Sequence, residues 1–260
     1  MMSNIELTNS VVFITGTNRE NGIGRALVDE IIKRGAKKVY VTARDVTQLE
    51  DVVAKHEDIV VPISLDVTSQ HSIDQAASVA TDVQILINNA GACGFSGYCF
   101  DYISASARQE FEVNYWGPLH LIQAFKGHLI SHPANSAIVN ICSLAGLSAF
   151  PLTATYSASK AALHSLTQTV RAELALYGIK VFGVYPGPID TDMANEIKMT
   201  KETPAYAAAR IFDGMVNGIE TITTDKFGDD FVEQLRDDPH QVEKNLADLV
   251  QQLKGATIAD

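Results

Sequence analysis

The sequence predicts an α/β fold in which one mainly parallel, doubly wound sheet of about seven strands is covered by helices on both faces. Short runs of β-branched and other apolar residues alternate with stretches of helical periodicity from the start of the chain. These runs are apolar at successive positions, as expected for strands that are buried on both faces of a parallel sheet. The regular alternation of strands with helices favours the same arrangement.

The first elements illustrate the pattern. Residues 11–14 are predicted as a buried strand, and Ile23, Leu27 and Ile31 then recur at every fourth position, as one face of a helix does. Gly35 is expected to end that helix. The further predicted strands are 39–41, 59–63, 83–87, 137–141, 180–185 and 221–223, and the further predicted helices are 46–56, 69–80, 105–132, 157–177, 205–218 and 227–253.

Composition argues against several functional classes. Twenty basic and 31 acidic residues give a net charge of −11, whereas a nucleic-acid-binding surface needs clustered cations. The chain carries no apolar run near the ~18 residues of a membrane span, and its first residues lack the pattern of a signal peptide. We therefore expect a cytoplasmic protein that binds neither membrane nor nucleic acid.

Cysteines and histidines give no sign of a metal site. Cys93, Cys99 and Cys142 have no C-x-x-C spacing and are expected to be reduced thiols. His128 and His132 are four residues apart, but no third ligand lies near them in the sequence, so a solvated helix face is preferred. No metal is predicted.

A glycine-rich segment, TGTNRENGIG at residues 15–24, follows the first strand and opens the first helix. Glycines at such a turn let the backbone approach a pyrophosphate, which the helix N-terminus favours electrostatically. Glycine is also common in ordinary turns, so the position of this segment carries the interpretation. The predicted phosphate-binding residues are Gly16, Asn18, Arg19, Gly22, Ile23 and Gly24.

The end of the second strand indicates which dinucleotide is bound. A carboxylate there would bind a ribose 2′-hydroxyl and repel a 2′-phosphate, but this chain has Ala43 followed by Arg44. Arginine offers a planar, permanently charged fork that suits phosphate, and Arg19 offers a second cation. NADP(H) is therefore favoured over NAD(H). The alternative for Arg44 is a surface ion pair with Asp45 or Glu50.

Tyr156 and Lys160 are four residues apart in a predicted helix and so share one face. A neighbouring ammonium favours phenolate, so we expect Lys160 to lower the pKa of Tyr156 from the usual ~10. Ser143 lies thirteen residues before the tyrosine and adds a hydroxyl. These three residues form a candidate acid/base group.

This Ser-Tyr-Lys pattern and the glycine segment resemble the short-chain dehydrogenase/reductase family, which has a Rossmann fold. Further motifs follow in the family's order over about residues 10–195: Asp66-Val67, Asn88-Asn89-Ala90-Gly91, Asn114 within FEVN, and PGPIDT at 186–191. One departure is that five residues, rather than three, separate the Thr-Gly pair from Gly-x-Gly. This leaves open which of Asn18, Arg19 and Asn21 faces the ligand.

The resemblance implies hydride transfer between a nicotinamide and a carbonyl or alcohol carbon. It implies that Tyr156 is the general acid/base, that Ser143 binds the reacting oxygen and that Lys160 holds the ribose. Asn114 would be the fourth catalytic residue and would hold a water. The remaining implied cofactor contacts are Asp66 and Val67 at the adenine, Asn88, Ala90 and Gly91 along the cofactor, and Pro186, Gly187, Ile189 and Thr191 over the nicotinamide.

The loops that line the substrate pocket in this fold are apolar and aromatic. They carry Phe95, Tyr98, Phe100, Tyr102, Phe150, Leu152, Met193, Ile197 and Met199. This inventory suits a hydrophobic ketone or secondary alcohol, although core packing is an alternative role for about half of these side chains. Phe95, Phe150 and Met193 are the predicted substrate contacts besides Ser143 and Tyr156.

The domain organisation follows from the same pattern. No repeat, low-complexity segment or linker interrupts the sequence, so one domain over 1–260 is expected. It would comprise a cofactor and catalytic core at about 10–195, a substrate loop and helix at about 188–225, and an acidic, helical surface segment at about 226–260. The family also implies a homodimer or homotetramer, and the acidic helical C-terminal segment, which replaces the tail of many tetrameric members, leaves a dimer or a monomer open.

Two other functions stay open. One is a catalytically idle dinucleotide-binding regulator, and the other is a non-redox lyase on the same fold. The intact pair of Tyr156 and Lys160 argues against the regulator. Lys160 and the glycine segment together argue against the lyase.

Overall fold

The computed structural model describes residues 5–94, 105–151, 153–195 and 199–257, in which strands and helices alternate. The strands are β1 (Val11–Ile14), β2 (Lys38–Ala43), β3 (Val60–Ser64), β4 (Ile85–Asn88), β5 (Ala137–Ile141), β6 (Lys180–Tyr185) and β7 (Thr221–Thr223). The helices are α1 (Ile23–Lys33), α2 (Glu50–Lys55), α3 (Gln70–Val79), α4 (Ala105–Phe111), α5 (Gly117–Ser131), α6 (Ala154–Leu174), α7 (Pro204–Val216), α8 (Lys226–Asp237) and α9 (Pro239–Thr257).

These seven strands form one parallel sheet in the order β3-β2-β1-β4-β5-β6-β7. The strand order reverses between β1 and β4, and open parallel sheets bind ligands at the carboxyl ends of the strands beside such a point. The predicted doubly wound Rossmann-type sheet is therefore confirmed.

Both faces of the sheet are covered, which explains why the strands are apolar at successive positions. In β1, Val12 and Ile14 belong to the core layer that contains Leu27 of α1. Phe13 faces the opposite layer, where its ring lies 4.7 Å from that of Phe125 in α5. Every residue of β1 is thus buried, although successive side chains alternate between layers.

The predicted helix over 105–132 is interrupted, which corrects that prediction. α4 ends at Phe111, a π-helical turn spans Glu112–Trp116, and α5 begins at Gly117. A π-helical turn changes the direction of the side chains that follow it, and such turns are frequent at functional sites. Asn114 lies within this turn.

The predicted acidic surface helix over 227–253 consists of two helices, α8 and α9, and their inner face is part of the core. Phe231 and Val242 are only 6% and 3% exposed. They pack in one cluster with Cys142, Leu144 and Leu163, beside the carboxyl end of β5. The acidic residues therefore cover only the outer face of this segment. None of the described helices is both long and apolar enough to cross a membrane.

Candidate active site

The predicted site segments converge on one edge of the sheet. Gly16 follows β1, Arg44 follows β2, Ser143 follows β5 and Pro186 follows β6. Because all the strands in the described part are parallel, their carboxyl ends lie on the same side. The fold thus places segments that are up to 170 residues apart in the sequence around one cleft.

Lys160 lies one helical turn after Tyr156 in α6 and is 3% exposed. Its Nζ lies 5.7 Å from the centre of the Tyr156 ring and donates a hydrogen bond to the carbonyl of Ile141 at 2.8 Å. The approach of α6 to the segment after β5 requires glycine at position 146. A Cβ there would lie 2.6 Å from the Lys160 carbonyl oxygen.

Ser143 has extended backbone, and its Oγ accepts a hydrogen bond from the Ala145 amide at 3.1 Å. This contact fixes the serine at the start of the 3₁₀ turn that leaves β5. The neighbouring Ser143 hydroxyl lowers the pKa of Tyr156, but burial has the larger effect and raises it above that of an ordinary phenol. The phenol beside Ser143 is therefore protonated.

The predicted lowering of the Tyr156 pKa by Lys160 is wrong for this structure. Burial disfavours the charged form of each group, and it lowers the pKa of Lys160 to about 8. The same loss of hydration raises the pKa of Tyr156. The sequence places the two residues on one helix face but contains no information on their burial.

Asn114 is fully buried, and its side chain joins the loop after β4 to α6. Its carboxamide oxygen accepts from the Ala92 amide at 2.9 Å, and its nitrogen donates to the Ala92 carbonyl at 2.8 Å and to Ser159 Oγ at 2.9 Å. A Cβ on Gly91 would lie 3.5 Å from Asn114 Oδ1 and 3.7 Å from Lys160 Nζ. The Asn-Ala-Gly turn thus lies against both side chains.

The glycine segment packs too closely for side chains at two positions. Gly16 has a φ of +69°, and a Cβ on Gly24 would lie 2.4 Å from the Gly16 carbonyl oxygen. Asn89 braces the same turn by donating to the carbonyls of Thr15 and Gly16, at 2.8 and 3.0 Å. The close backbone packing explains why glycines occur at this spacing.

The N-terminus of α1 fits a pyrophosphate. Gly22 is the N-cap residue and makes no side-chain capping hydrogen bond, and the first turn holds no acidic residue. The first amides of the helix are therefore not used by a side-chain acceptor and favour an anion.

The enlarged loop before α1 forms a turn of its own. Ile23 starts the helix, and the Gly22 amide before it donates to the Arg19 carbonyl at 3.1 Å. Asn18 and Arg19 are exposed.

Arg44 is exposed at the end of β2, and within the described ranges its guanidinium forms no ion pair with Asp45 or Glu50. Asp45 instead accepts from the amide and the hydroxyl of Thr47, at 3.0 and 2.7 Å. The alternative interpretation of Arg44 as a partner of Asp45 or Glu50 is therefore not supported. Its charge is available to a ligand at this edge.

Arg25 is a site residue that no sequence motif indicates. It is 6% exposed, and its Nε donates to the Thr17 carbonyl at 3.1 Å. Its guanidinium also pairs with Asp51 and donates to the Gln48 carbonyl at 3.4 Å. Arg25 therefore ties the glycine segment to the residues that follow Arg44.

The residues predicted to contact the adenine, Asp66 and Val67, and Asn88, predicted to lie along the cofactor, have different surroundings in the structure. Asp66 Oδ1 accepts from the amide and hydroxyl of Thr68, at 2.9 and 2.7 Å, which is the turn role that such a residue commonly has. Val67 is buried beneath the start of α5. Asn88 points into the sheet, where it donates to Asn140 Oδ1 at 2.8 Å. Its own Oδ1 is buried without a hydrogen-bond partner in the described part of the chain.

The segment after β6 is held at both ends. The amide of Gly187 donates to Asp225 Oδ2 at 2.9 Å, and Ile189 forms a β-bridge with Glu202. The amide and hydroxyl of Thr191 both donate to the Ile189 carbonyl, at 2.8 and 3.4 Å. Pro186, Gly187, Ile189 and Thr191 therefore form one compact turn beside Ser143.

Three of the predicted pocket residues, Phe150, Met193 and Met199, lie within the described residues. The ring centre of Phe150 lies 5.4 Å from that of Phe231 in α8, with the two rings tilted, and the Phe150 amide donates to Ser157 Oγ at 3.2 Å. Met193 lies in a 3₁₀ turn and is partly exposed, and Met199 is 45% exposed. Phe95, Tyr98, Phe100, Tyr102, Leu152 and Ile197 lie outside the described residues. Within the described residues no group of His, Cys, Asp and Glu side chains forms a metal-binding cluster.

A family model, related sequences and solved structures all match this chain to the short chain dehydrogenases. The family model described as short chain dehydrogenase matches residues 10–202. The short-chain dehydrogenase ptmH of Penicillium ochrochloron is 38% identical over 188 residues, which are 69% of this chain and 66% of that protein, so the match spans just under two thirds of its length.

Two solved structures resemble the chain. A short chain dehydrogenase from Burkholderia cenocepacia in complex with NADP is 33% identical, and the match covers 93% of this chain and 99% of that chain with a TM-score of 0.86. A short chain dehydrogenase/reductase from Burkholderia phymatum in complex with NAD is 22% identical, with 91% and 96% covered and a TM-score of 0.79. At that identity the likeness shows the fold alone.

Proposed function

Because the chain belongs to the short chain dehydrogenase family, we propose that it is an NADP(H)-dependent oxidoreductase that interconverts a hydrophobic ketone and a secondary alcohol. Membership in this family supports an oxidoreductase that uses a nicotinamide dinucleotide. The proposal adds the cofactor preference, the substrate class and the catalytic residues. The observation that carries it is the grouping of Ser143, Tyr156 and the buried Lys160 where the end of β5 meets α6.

The residues at the edge of the sheet fit the parts of NADP(H). The free amides at the start of α1 suit the pyrophosphate, and Arg44 and Arg19 suit the 2′-phosphate. Lys160 would hold the nicotinamide ribose, and residues 186–191 would contact the nicotinamide. When bound, the dinucleotide would supply or accept the hydride. The NADP complex of the Burkholderia cenocepacia protein supports the cofactor preference, whereas the more distant relative has NAD.

Tyr156 would move a proton at the oxygen of the substrate, and Ser143 would hydrogen-bond that oxygen and stabilise its developing charge. The raised pKa of Tyr156 keeps the phenol protonated at neutral pH, which is the form that donates a proton. Asn114 would hold the loop after β4 against α6 and so fix Lys160 beneath the tyrosine.

The substrate would be apolar because the loops expected to line the cleft carry mostly apolar side chains. Phe150 and Met193 are predicted contacts of this kind, and the ring of Phe150 packs against the buried Phe231. Lys201, at the base of the substrate loop, lies 3.9 Å from Asp190, so its charge is partly offset. A neutral, hydrophobic ketone therefore fits better than a carboxylate. Association into a homodimer or homotetramer is also proposed, from the family alone.

Fluorescence titrations of the purified protein with NADPH and NADH test this function. NADPH should bind at least tenfold more tightly, a difference of about 1.4 kcal/mol. Apolar ketones should then be screened for NADPH oxidation, with small polar ketones as the matched comparison. Equal binding of NADH would contradict the role of Arg44. Binding of neither dinucleotide would contradict the oxidoreductase and favour an idle or non-redox protein.

A further inference from the structure

The turn after β6 is held by a residue that no sequence motif indicates. Asp225 follows β7, is 1% exposed and precedes α8. Its Oδ2 accepts a hydrogen bond from the Gly187 amide at 2.9 Å, and its Oδ1 accepts one from the Gly228 amide at 2.7 Å. One carboxylate therefore caps a helix and binds the backbone of the turn at Pro186 and Gly187.

Three hydrogen-bond donors hold the Asp225 carboxylate. The hydroxyl of Thr224, itself fully buried, donates to Oδ2 at 2.8 Å, and no ion pair involves Asp225 among the residues described. The N-terminus of α8 favours the negative charge further. A buried carboxylate is stabilised by such charge-assisted hydrogen bonds, and removing its partner leaves a group unsatisfied. The buried carboxylate therefore needs the Gly187 amide as one of its hydrogen-bond donors.

The backbone of the turn lies directly against this carboxylate. A Cβ on Gly187 would lie 2.6 Å from Asp225 Oδ1 and 2.9 Å from Oδ2, so the approach requires glycine. On the other side, the Leu144 amide donates to the Pro186 carbonyl at 3.3 Å, next to Ser143. The turn therefore lies between Asp225 and the segment that carries the catalytic serine.

We propose that Asp225 is a positioning residue that holds the turn at Pro186 and Gly187 in the orientation that binds the nicotinamide end of the cofactor. The inference rests on the proposed function, because it assigns residues 186–191 to the cofactor. It adds that the shape of this turn is set from β7 and α8. The C-terminal segment, which lies outside the matched region 10–202, would thereby contribute to cofactor affinity.

Asp225→Asn tests this role with little change in volume. Only one side-chain oxygen remains, so either Gly187 or Gly228 loses its acceptor. With Oδ1 kept at Gly228, Nδ2 donates to Thr224 and faces the Gly187 amide as a second donor. We expect NADPH to bind at least tenfold more weakly, because the turn then has to be ordered when the cofactor binds. A tenfold loss equals ~1.4 kcal/mol, which is less than a hydrogen bond to a charged group contributes to holding the turn.

A second readout does not depend on cofactor. Hydrogen–deuterium exchange of the segment 183–191 should be faster in Asp225→Asn than in the unmutated protein. Asp225→Ser provides a second variant, since serine can still cap Gly228 but is too short to reach Gly187 as well. The matched control is Asp238→Asn, because Asp238 accepts from the Gln241 amide at 3.0 Å at the start of α9 and, within the described part of the chain, forms no hydrogen bond or ion pair with a site residue.

The outcomes separate the two proposals. Faster exchange together with weaker NADPH binding in both Asp225 variants, with Asp238→Asn unchanged, supports the positioning role. Unchanged exchange overturns it, as does faster exchange with unchanged NADPH affinity. If the unmutated protein binds neither NADPH nor NADH, the proposed function fails and the cofactor role of Asp225 fails with it. The exchange measurement then still decides whether Asp225 orders the turn.

Discussion

Lys160 lies beneath the ring of Tyr156, with Nζ 5.7 Å from the ring centre, but its hydrogen bond goes to the carbonyl of Ile141 at 2.8 Å. Ile141 is the last residue of β5, two residues before Ser143. The end of one strand therefore positions both the lysine and the serine. The proposed catalytic group is set by the contact between β5 and α6, in addition to the spacing within the helix.

Tyr156→Phe should abolish turnover while NADPH binding is kept, because only the hydroxyl that transfers the proton is lost. General acid/base groups contribute about 10²- to 10⁴-fold, and a loss of kcat in that range is expected. Steady-state kinetics and a NADPH titration measure the two quantities. Tyr177→Phe, at an exposed site after α6, is the control. A kcat close to that of the unmutated enzyme would remove Tyr156 from its assigned role.

Arg44→Ala should weaken NADPH binding by about tenfold or more and leave NADH binding unchanged, because only NADPH carries the 2′-phosphate. Arg44→Asp should go further and reverse the preference, since a carboxylate repels phosphate and binds the ribose hydroxyl. Arg236→Ala on α8 removes an exposed cation elsewhere and controls for net charge. Parallel weakening of NADH and NADPH would argue against a phosphate-specific role.

Gly24→Ala should abolish dinucleotide binding, whereas Gly127→Ala should increase the stability of the protein. A Cβ at Gly24 would lie 2.4 Å from the Gly16 carbonyl oxygen, so the glycine segment must shift and dinucleotide binding should be lost. Nothing lies within 4 Å of a Cβ at Gly127, inside α5. There alanine should stabilise the protein by roughly 0.5–1 kcal/mol, because it is the better helix former. Thermal unfolding and NADPH titration distinguish the two variants, and intact NADPH binding by Gly24→Ala would contradict the close packing.

His164 should make the stability of the protein fall on acidification. Its Nδ1 lies 2.6 Å from the Tyr185 hydroxyl, and burial, followed by the charge of Arg171, lowers its pKa below the usual 6.5. As the pH drops below 6.5, the unfolded chain gains a proton that the folded chain resists, so the free energy of unfolding decreases.

His164→Asn keeps a polar group near Tyr185 but does not titrate. Melting temperatures measured between about pH 7.5 and about pH 5.5 should therefore fall less in this variant than in the unmutated protein. His240→Asn, at a side chain that is 91% exposed, is the control and should follow the unmutated curve. Identical slopes in all three proteins would contradict the lowered pKa of His164.

The sequence by itself determined the sheet, the order of its motifs and the residues proposed for the site. Apolar runs predicted the ends of all seven strands to within two residues. Burial on both faces makes a strand apolar at successive positions, and this pattern can be read from the strand's own sequence. Gly16, Gly24, Ser143, Tyr156 and Lys160 were indicated by spacing at strand ends and along one helix. These features are local in the chain, so the sequence carries them directly.

Only the tertiary structure decided what surrounds these residues. The π-helical turn at Asn114, the brace from Arg25 to Thr17 and the contact of Asp225 with Gly187 each depend on segments that meet only in the fold. The pKa of Tyr156 likewise depends on burial, which opposes the effect expected from the helix spacing alone. Hydration and long-range hydrogen bonds are properties of the packed chain, and local periodicity does not encode them.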